Sequence, residues 1–262
     1  VAKYVAVSIM EASLDVESMA SSSTKVFVLE VMGRHAGWIA AAGGLAQQKK
    51  GDPPHIILFP ELPLDKEALL KKVDKTVKKH GYCSIVVSEG VRDQEGRFLA
   101  DSGRRDAFGH AQLGGVAPVV AGMITDALGY KNHWAVSDYL QRSARHIGSK
   151  NDVEQAYAMG QEAVRLALQG KTGVMPIVVR TSDNPYRWKV GEAKLSEVAN
   201  VEKMMPRNFI TKNGFGITAA ARTYLEPLIH GEDYPPYDKH GLPKYVRLKN
   251  ILVPQKLEPF KH

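Results

Sequence analysis

The sequence has little cysteine and no long apolar run. Cys83 is the single cysteine among 262 residues, which excludes an internal disulfide framework and favours a reducing cytoplasm. One cysteine with nine scattered histidines gives no zinc signature. No apolar stretch reaches the roughly 18 residues that a membrane-spanning helix requires. No secretory signal opens the chain, so we expect a cytoplasmic protein with no membrane partner.

The net charge is +7, and the basic residues are spread along the chain. The densest cluster, KKVDKTVKK at 71–79, is typical of the solvated face of an amphipathic helix. No zinc-finger or RNA-binding motif accompanies the cluster. We therefore expect no nucleic-acid partner and favour small phosphorylated ligands as the use of the positive charge.

Predicted strands alternate with predicted helices through residue 180. Uniformly apolar or β-branched runs predict strands at 25–31, 55–61, 83–90, 133–141 and 174–180. Helices are predicted at 1–19, 37–49, 65–80 (N-cap Asp65), 114–129 and 152–169 (N-cap Asp152, ended by Gly170). Residues 91–112 are predicted to be a long loop, and little strand character follows residue 180. This order predicts an α/β fold with a mainly parallel sheet.

Ligands of open parallel sheets bind beyond the carboxyl ends of the strands, so the residues at these ends are the candidate site. In chain order they are Met32, Gly33 and Arg34; Ser88, Glu89 and Gly90; Asp138, Tyr139, Leu140, Gln141 and Arg142; and Arg180 and Thr181. The guanidinium group of arginine matches phosphate oxygens, and a carboxylate accepts hydrogen bonds from sugar hydroxyls. The set suits a phosphorylated sugar.

Each of these side chains also has a purely structural interpretation. Arg34 could pair with a surface acid, Glu89 could cap a helix, and Tyr139 could pack in a core. The shared placement of the residues at strand ends favours the binding interpretation over these alternatives.

Four motifs carry a family resemblance. VFVLEVMGRHAGWIAAAGGLA (26–46), FPE (59–61), VVSEG (86–90) and DYLQR (138–142) resemble, in order and spacing, motifs of the 6-phosphofructokinases. The resemblance extends to about residue 225. It implies a phosphofructokinase-like fold of three-layer αβα domains with parallel sheets. Residues 1–146 would form the fructose 6-phosphate (acceptor) domain, and residues 147–262 would complete the donor domain and add a C-terminal extension.

The resemblance also implies roles for individual residues. Met32, Gly33 and Arg34 would hold fructose 6-phosphate, with Arg34 also catalytic at the transferred phosphoryl group. Glu89 would accept from sugar hydroxyls, and Tyr139 and Arg142 would hold the far end of the sugar phosphate. Leu140 and Gln141, between them, would also be substrate-binding. Lys25 and either Lys131 or His133 match phosphate-binding arginines. Because the arginine matched by Lys25 reaches the neighbouring subunit's site in bacterial relatives, a homo-oligomer of at least two subunits is expected.

Two features of the sequence bear on the phosphoryl donor. Tyr-Leu-Gln-Arg at 139–142 and Lys25 resemble the pyrophosphate-dependent branch of the family. The expected reaction is therefore transfer from pyrophosphate to the 1-hydroxyl of fructose 6-phosphate, a reversible step of glycolysis. An ATP-dependent enzyme and a non-catalytic sugar-phosphate-binding subunit remain the alternatives.

Two family motifs do not occur in these 262 residues: the Gly-Gly-Asp donor loop and the Asp-Asn-Asp catalytic segment. The resemblance places the general base and most of the site for the cofactor Mg²⁺ in that segment, so no metal ligand is assigned in this sequence. The chain also begins without Met. We therefore expect an N-terminal segment of the same enzyme, with the missing motifs, as a partner.

Overall fold

The computed structural model describes residues 1–105, 111–113 and 115–258. The strands are β1 (Val26–Val31), β2 (Ile56–Leu58), β3 (Cys83–Ser88), β4 (Asp101–Arg105), β5 (Ala111–Leu113), β6 (Asn132–Val136), β7 (Val174–Asp183) and β8 (Tyr186–Lys194). The helices are α1 (Ala2–Met19), α2 (Trp38–Gly43), α3 (Lys66–His80), α4 (Val116–Leu128), α5 (Leu140–Ser143), α6 (Lys150–Leu168), α7 (Leu195–Val198) and α8 (Ala219–Leu225). Short 3-10 turns follow α2, α5 and α8.

The central sheet has four parallel strands in the order β2-β3-β1-β6. Strands β1, β2 and β3 are almost wholly apolar because helices cover both faces of this part of the sheet. Side chains of β1, β2 and β3 on one face pack against α3 and α4. Those on the other face pack against α1, α2 and the segment 205–229. The predicted α/β fold with a parallel sheet is confirmed, and it has three layers.

The segment 205–229 lies beyond the predicted boundary at residue 146, yet it contributes to this core. Met205, Ile210 and Leu225 are buried against α1, α2 and the sheet. The backbone N–H of Ile57 in β2 also donates to the carbonyl of Phe215. The division into acceptor and donor segments stays a prediction, but residues 205–229 pack on the first of them.

Helix α3 shows how local sequence sets an element's ends. Asp65 accepts from the N–H of Ala68 at 2.9 Å, which confirms the predicted N-cap. Gly81 ends the helix with φ +86°, a left-handed conformation that favours glycine. Val73 and Val77 are buried, whereas the lysines between and after them face outward. The basic cluster is therefore the outer face of this helix.

Several predicted elements were wrong. The strand expected at 133–141 ends at Val136 and is followed by α5, and the loop expected at 91–112 contains β4 and β5. Residues after 180 continue β7 and form β8, and these two strands make an antiparallel hairpin separate from the parallel sheet.

Two predicted helices also differ from the structure. The helix expected at 37–49 stops at Gly43 and continues only as a short 3-10 turn. Ser149, not Asp152, caps α6: its hydroxyl oxygen accepts from the N–H of Asp152 at 3.2 Å.

None of the helices among the described residues is long and apolar enough to cross a bilayer.

His55 precedes β2 and has an unusual environment. Its Nδ1 accepts from the N–H of Ser84 at 3.0 Å, and its ring lies 5.2 Å from that of His80 and 5.1 Å from that of Tyr82. Burial, assisted by the nearby positive charge of His80, lowers the pKa of His55 to about 4. The native protein therefore holds His55 neutral at pH values where an unfolded chain would protonate it.

We expect His55 to make stability fall in acid. Between the ordinary histidine pKa of 6.5 and the folded value of about 4, the unfolded state binds more protons, so the free energy of unfolding decreases as pH falls through this window. The contribution is at most about 3 kcal/mol. His55→Asn keeps an acceptor for Ser84 and should flatten the dependence, measured by urea unfolding from pH 4 to 7. His240→Asn, in an exposed segment, is the control and should keep the pH dependence of the wild type. If the free energy of unfolding of His55→Asn fell as steeply with pH as that of the wild type, His55 would not be the group responsible.

Candidate functional site

The candidate residues meet at the carboxyl edge of the parallel sheet. Val31 of β1 lies opposite Ser88 of β3, and Glu30 lies opposite Val136 of β6. The chain segments that leave these strands, 32–34, 89–90 and 137–142, therefore start at the same level. The predicted convergence of the Arg34, Glu89 and DYLQR segments is present in the structure.

Gly33 is held by the end of β3. Its N–H donates to Oε1 of Glu89 at 3.1 Å, and its carbonyl accepts from the hydroxyl of Ser88. Gly33 has φ +142°, and a Cβ there would come within 2.8 Å of the Ala36 carbonyl oxygen. Glycine is therefore required at this turn, because both backbone conformation and space exclude a side chain.

The Arg34 loop approaches the backbone of Gly90 even more closely than the Ala36 carbonyl approaches Gly33. A Cβ at this position would lie 1.8 Å from the carbonyl oxygen of Arg34 and 2.6 Å from that of Gly33. Both neighbours are backbone atoms, which cannot move aside as a flexible side chain would. The Arg34 loop therefore lies directly on the backbone that follows β3.

Arg34 is partly exposed beside this contact. No carboxylate in the described parts of the chain forms an ion pair with its guanidinium group, so the structure does not support the surface ion pair as its explanation there. Glu89 does not cap a helix; it binds a loop N–H through one oxygen. The other carboxylate oxygen could accept from a sugar hydroxyl, which stays a prediction.

The DYLQR segment has an outer and an inner side. Tyr139 and Leu140 are 64% and 63% exposed, which excludes core packing of Tyr139. The guanidinium carbon of Arg142 lies 4.9 Å from the centre of the Tyr139 ring, so these two side chains form one exposed cation–π pair. Their contact with a sugar phosphate stays a prediction.

Gln141 is buried behind the exposed side chains of the DYLQR segment. Its side chain is 1% exposed, its Oε1 accepts from the N–H of Met32 at 3.3 Å, and its Nε2 donates to the Asp138 carbonyl at 2.9 Å. Both ends of the amide are thus engaged by the backbone. The structure shows Gln141 joining the Met32 segment to the DYLQR turn, in contrast to its predicted contact with the sugar phosphate.

Lys25, Lys131 and His133 lie at the opposite end of the sheet. Lys25 precedes β1 and its ammonium group contacts the Ala20 carbonyl, while Lys131 donates to the Ser23 hydroxyl at 3.0 Å. His133 is exposed on β6 opposite Phe27. The six residues of β1 separate Lys25 from Met32, which are therefore seven steps, or about 23 Å at the usual rise, apart. Within one chain these three residues do not meet Arg34, Glu89 and the DYLQR segment.

The sequence pattern placed Arg180 and Thr181 with the other candidates at the edge of the parallel sheet, which is wrong. They belong to β7, in the separate antiparallel hairpin. Arg180 donates to the carbonyls of Thr223 and Tyr224 at 2.8 and 2.7 Å. Its role in the structure is to tie the hairpin to α8.

Glu30 was not assigned a role from the sequence. It is 2% exposed, and its carboxylate accepts from the N–H groups of Gly115 and Ala117 at 3.0 and 2.8 Å. Burial raises its pKa, whereas these backbone hydrogen bonds oppose the rise. Glu30 thus supplies the N-terminal cap that α4 lacks locally. A single acid in the otherwise apolar strand 26–31 was the signal that could have revealed it.

Gly90→Ala should displace the Arg34 loop, because the added methyl group would overlap two backbone oxygens. We expect a loss of about 3 kcal/mol or more in the free energy of unfolding, at the upper end for overpacking. Gly122→Ala is the matched control: it lies in α4 with no atom within 4 Å of an added Cβ. It should be neutral or slightly stabilising. Equal thermal stability of the two variants would contradict the close approach.

Two curated relatives align with almost the whole chain, and both are named pyrophosphate--fructose 6-phosphate 1-phosphotransferase. The protein from Methylococcus capsulatus is 64% identical over 257 residues, which is 98% of this chain and 61% of the relative. The protein from Halomonas elongata is 62% identical over 261 residues, which is 100% of this chain and 62% of the relative. The chain thus spans about three fifths of the length of these relatives.

Two solved structures share the fold. Pyrophosphate-dependent phosphofructokinase from Nitrosospira multiformis matches with a TM-score of 0.88 at 63% identity, over 99% of this chain and 62% of that one. The enzyme of the same name from Marinobacter aquaeolei matches with a TM-score of 0.87 at 57% identity, over 98% of this chain and 61% of that one. The family model described as phosphofructokinase matches residues 5–187. These matches confirm the resemblance carried by the four motifs, and the chain belongs to the phosphofructokinase family.

Proposed function

We propose that this chain supplies the sugar-phosphate site of a pyrophosphate-dependent phosphofructokinase, which transfers a phosphoryl group from pyrophosphate to the 1-hydroxyl of fructose 6-phosphate. The observation that carries the proposal is the meeting of the Arg34, Glu89 and Tyr139–Arg142 groups at one sheet edge. The names of the relatives with 64% and 62% identity favour pyrophosphate over ATP as the donor.

The chain's residues would act by positioning and by charge neutralisation. The transition state of phosphoryl transfer spreads charge over the phosphoryl oxygens, so a fixed cation beside them lowers the barrier. Arg34 would supply this cation, on a loop held by Glu89 and Ser88. The second carboxylate oxygen of Glu89 would orient sugar hydroxyls, and Tyr139, Leu140 and Arg142 would bind the far end of the sugar phosphate.

Mg²⁺ is the cofactor that we propose for the complete enzyme, on the basis of the family resemblance. Over 1–105, 111–113 and 115–258, no group of three or more His, Cys, Asp or Glu side chains could hold a metal ion. The described residues therefore do not fit a magnesium site by themselves, and we assign no catalytic step to the metal in this chain. The general base is likewise proposed to come from an N-terminal segment of the same enzyme.

We further propose a cytoplasmic homo-oligomer in which Lys25 and Lys131 or His133 serve the site of a second subunit. Their distance from Arg34 prevents them from serving the pocket of their own chain. Trp134 and Val136, on the same edge strand as His133, are 49% and 37% exposed, as expected for a strand that another subunit covers.

A non-catalytic sugar-phosphate-binding subunit is the second candidate, because the chain has neither the Gly-Gly-Asp nor the Asp-Asn-Asp motif. Denaturing mass spectrometry of the purified protein separates the two. A companion polypeptide that carries both motifs, with turnover on pyrophosphate, supports the enzyme. The 262-residue chain alone, binding fructose 6-phosphate in calorimetry without turnover, supports the binding subunit. Turnover with ATP but not pyrophosphate would overturn the donor assignment.

Arg34→Ala in the complete enzyme should lower kcat more than tenfold, because a charge at the transferring phosphoryl group is lost. Arg165→Ala is the control, since Arg165 is an exposed arginine of α6 that pairs with Glu162. Steady-state kinetics with pyrophosphate and fructose 6-phosphate give the comparison. Unchanged turnover in Arg34→Ala would remove Arg34 from the chemistry.

Tyr139→Phe should mainly raise KM for fructose 6-phosphate, because the variant keeps the ring beside Arg142 and loses only a hydrogen-bonding hydroxyl. Titration of the sugar phosphate at saturating pyrophosphate measures this effect. A change in kcat alone would argue against a binding role.

A further inference from the structure

The rear of the Arg34 loop contacts a segment far away in sequence. The Nδ1 atom of His35 pairs with Oε1 of Glu202, 167 residues later. The indole N–H of Trp38 donates to the carbonyl of Lys203 at 2.7 Å. Both contacts involve residues that closely follow Arg34 in sequence, and neither involves a residue of the front of the pocket.

Glu61 joins the same two segments. Its Oε1 accepts from the N–H of Gly37 at 2.8 Å and from the N–H of Met205 at 3.2 Å. A Cβ at Gly37 would come within 2.8 Å of the other oxygen of Glu61 and 2.9 Å of the Phe59 ring. One carboxylate therefore fixes both the start of α2 and the buried end of the distant segment.

The aromatic ring of Trp38 extends this contact. It packs edge-to-face against Phe209 and lies 5.5 Å from the ring of Tyr224. The ammonium group of Lys203 lies 5.7 Å from both the Trp38 and Tyr224 rings. The distant segment thus encloses Trp38 through polar and apolar contacts together.

We infer that Glu61 and residues 202–205 form a clasp that positions Arg34 for catalysis. Glu89 and Ser88 hold Gly33 in front of the arginine, and the clasp holds His35, Gly37 and Trp38 behind it. Glu61 and Glu202 are positioning residues, since they act on the reacting group through the loop. The inference rests on the proposed function for the role of Arg34. Loss of the clasp should impair turnover more than sugar binding, because the Gly33 and Tyr139 contacts remain.

The test compares Glu202→Ala with Glu232→Ala. The two glutamates have equally exposed side chains, 59% each, and each contacts one basic side chain, but Glu232 contacts Lys3 away from the loop. Hydrogen exchange followed by mass spectrometry reports peptides covering 33–41. We expect Glu202→Ala to accelerate exchange there by about fivefold, the effect of losing one hydrogen bond. Glu232→Ala should leave it unchanged.

Kinetics of the complete enzyme supply the second readout. Glu202→Ala should lower kcat by about fivefold while KM for fructose 6-phosphate stays within about twofold. Glu61→Gln keeps an oxygen acceptor and should retain the wild-type kcat and the wild-type exchange rate of residues 33–41. Glu61→Ala should lower kcat and accelerate this exchange. Equal changes in kcat and KM, or unchanged exchange in Glu202→Ala, would overturn the clasp. If the wild-type enzyme does not use pyrophosphate, the proposed function fails, and the exchange comparison still decides whether the clasp orders the loop.

Discussion

The close contact between the Arg34 loop and the backbone after β3 is the constraint on which the site depends. It exists only because β1 and β3 are parallel and end at the same level, so that Gly33 and Gly90 meet. Ser88 and Glu89 then engage the carbonyl and the N–H of Gly33. The sheet register therefore determines the position of the arginine, and the buried apolar faces of both strands set that register.

Three carboxylates close to a proposed phosphate site require an explanation, because negative charge would repel the ligand. Each of them accepts from backbone N–H groups: Glu30 from two, Glu61 from two and Glu89 from one. Burial raises the pKa of Glu30, and the charge of Glu89 adds to this rise. The acids therefore organise the backbone, while Arg34 and Arg142 supply the positive charge in front of it.

The buried strands, and the meeting of the segments that follow them at one sheet edge, were predictable because apolar runs that end in Gly, Arg or Glu are local signals. The sequence did not show, however, which of these side chains point into the core and which point to solvent. Gln141 and Tyr139 are two residues apart, yet one is buried and the other exposed. The strand does not continue here, because Asp138 adopts φ +36° and the short helix α5 begins two residues later, at Leu140. Strand β8 was missed although Tyr186, Trp188 and Val190 alternate with polar residues, a period that indicated a hairpin with β7.

The two sides of the Arg34 loop form through contacts of different range. The front contacts arise within the parallel sheet, from residues about 55 positions apart. At the rear, Glu61 lies 24 positions from Gly37, whereas the partners of His35 and Trp38 lie about 165 positions away. Contacts across long sequence separations cost more chain entropy to close, so they are expected to form late in folding. The sheet can therefore assemble with Gly33 and Gly37 in place while His35 and Trp38 still lack their distant partners. Complete fixation of the arginine depends on the docking of 202–229, which ties the site to a part of the chain outside all four recognisable motifs.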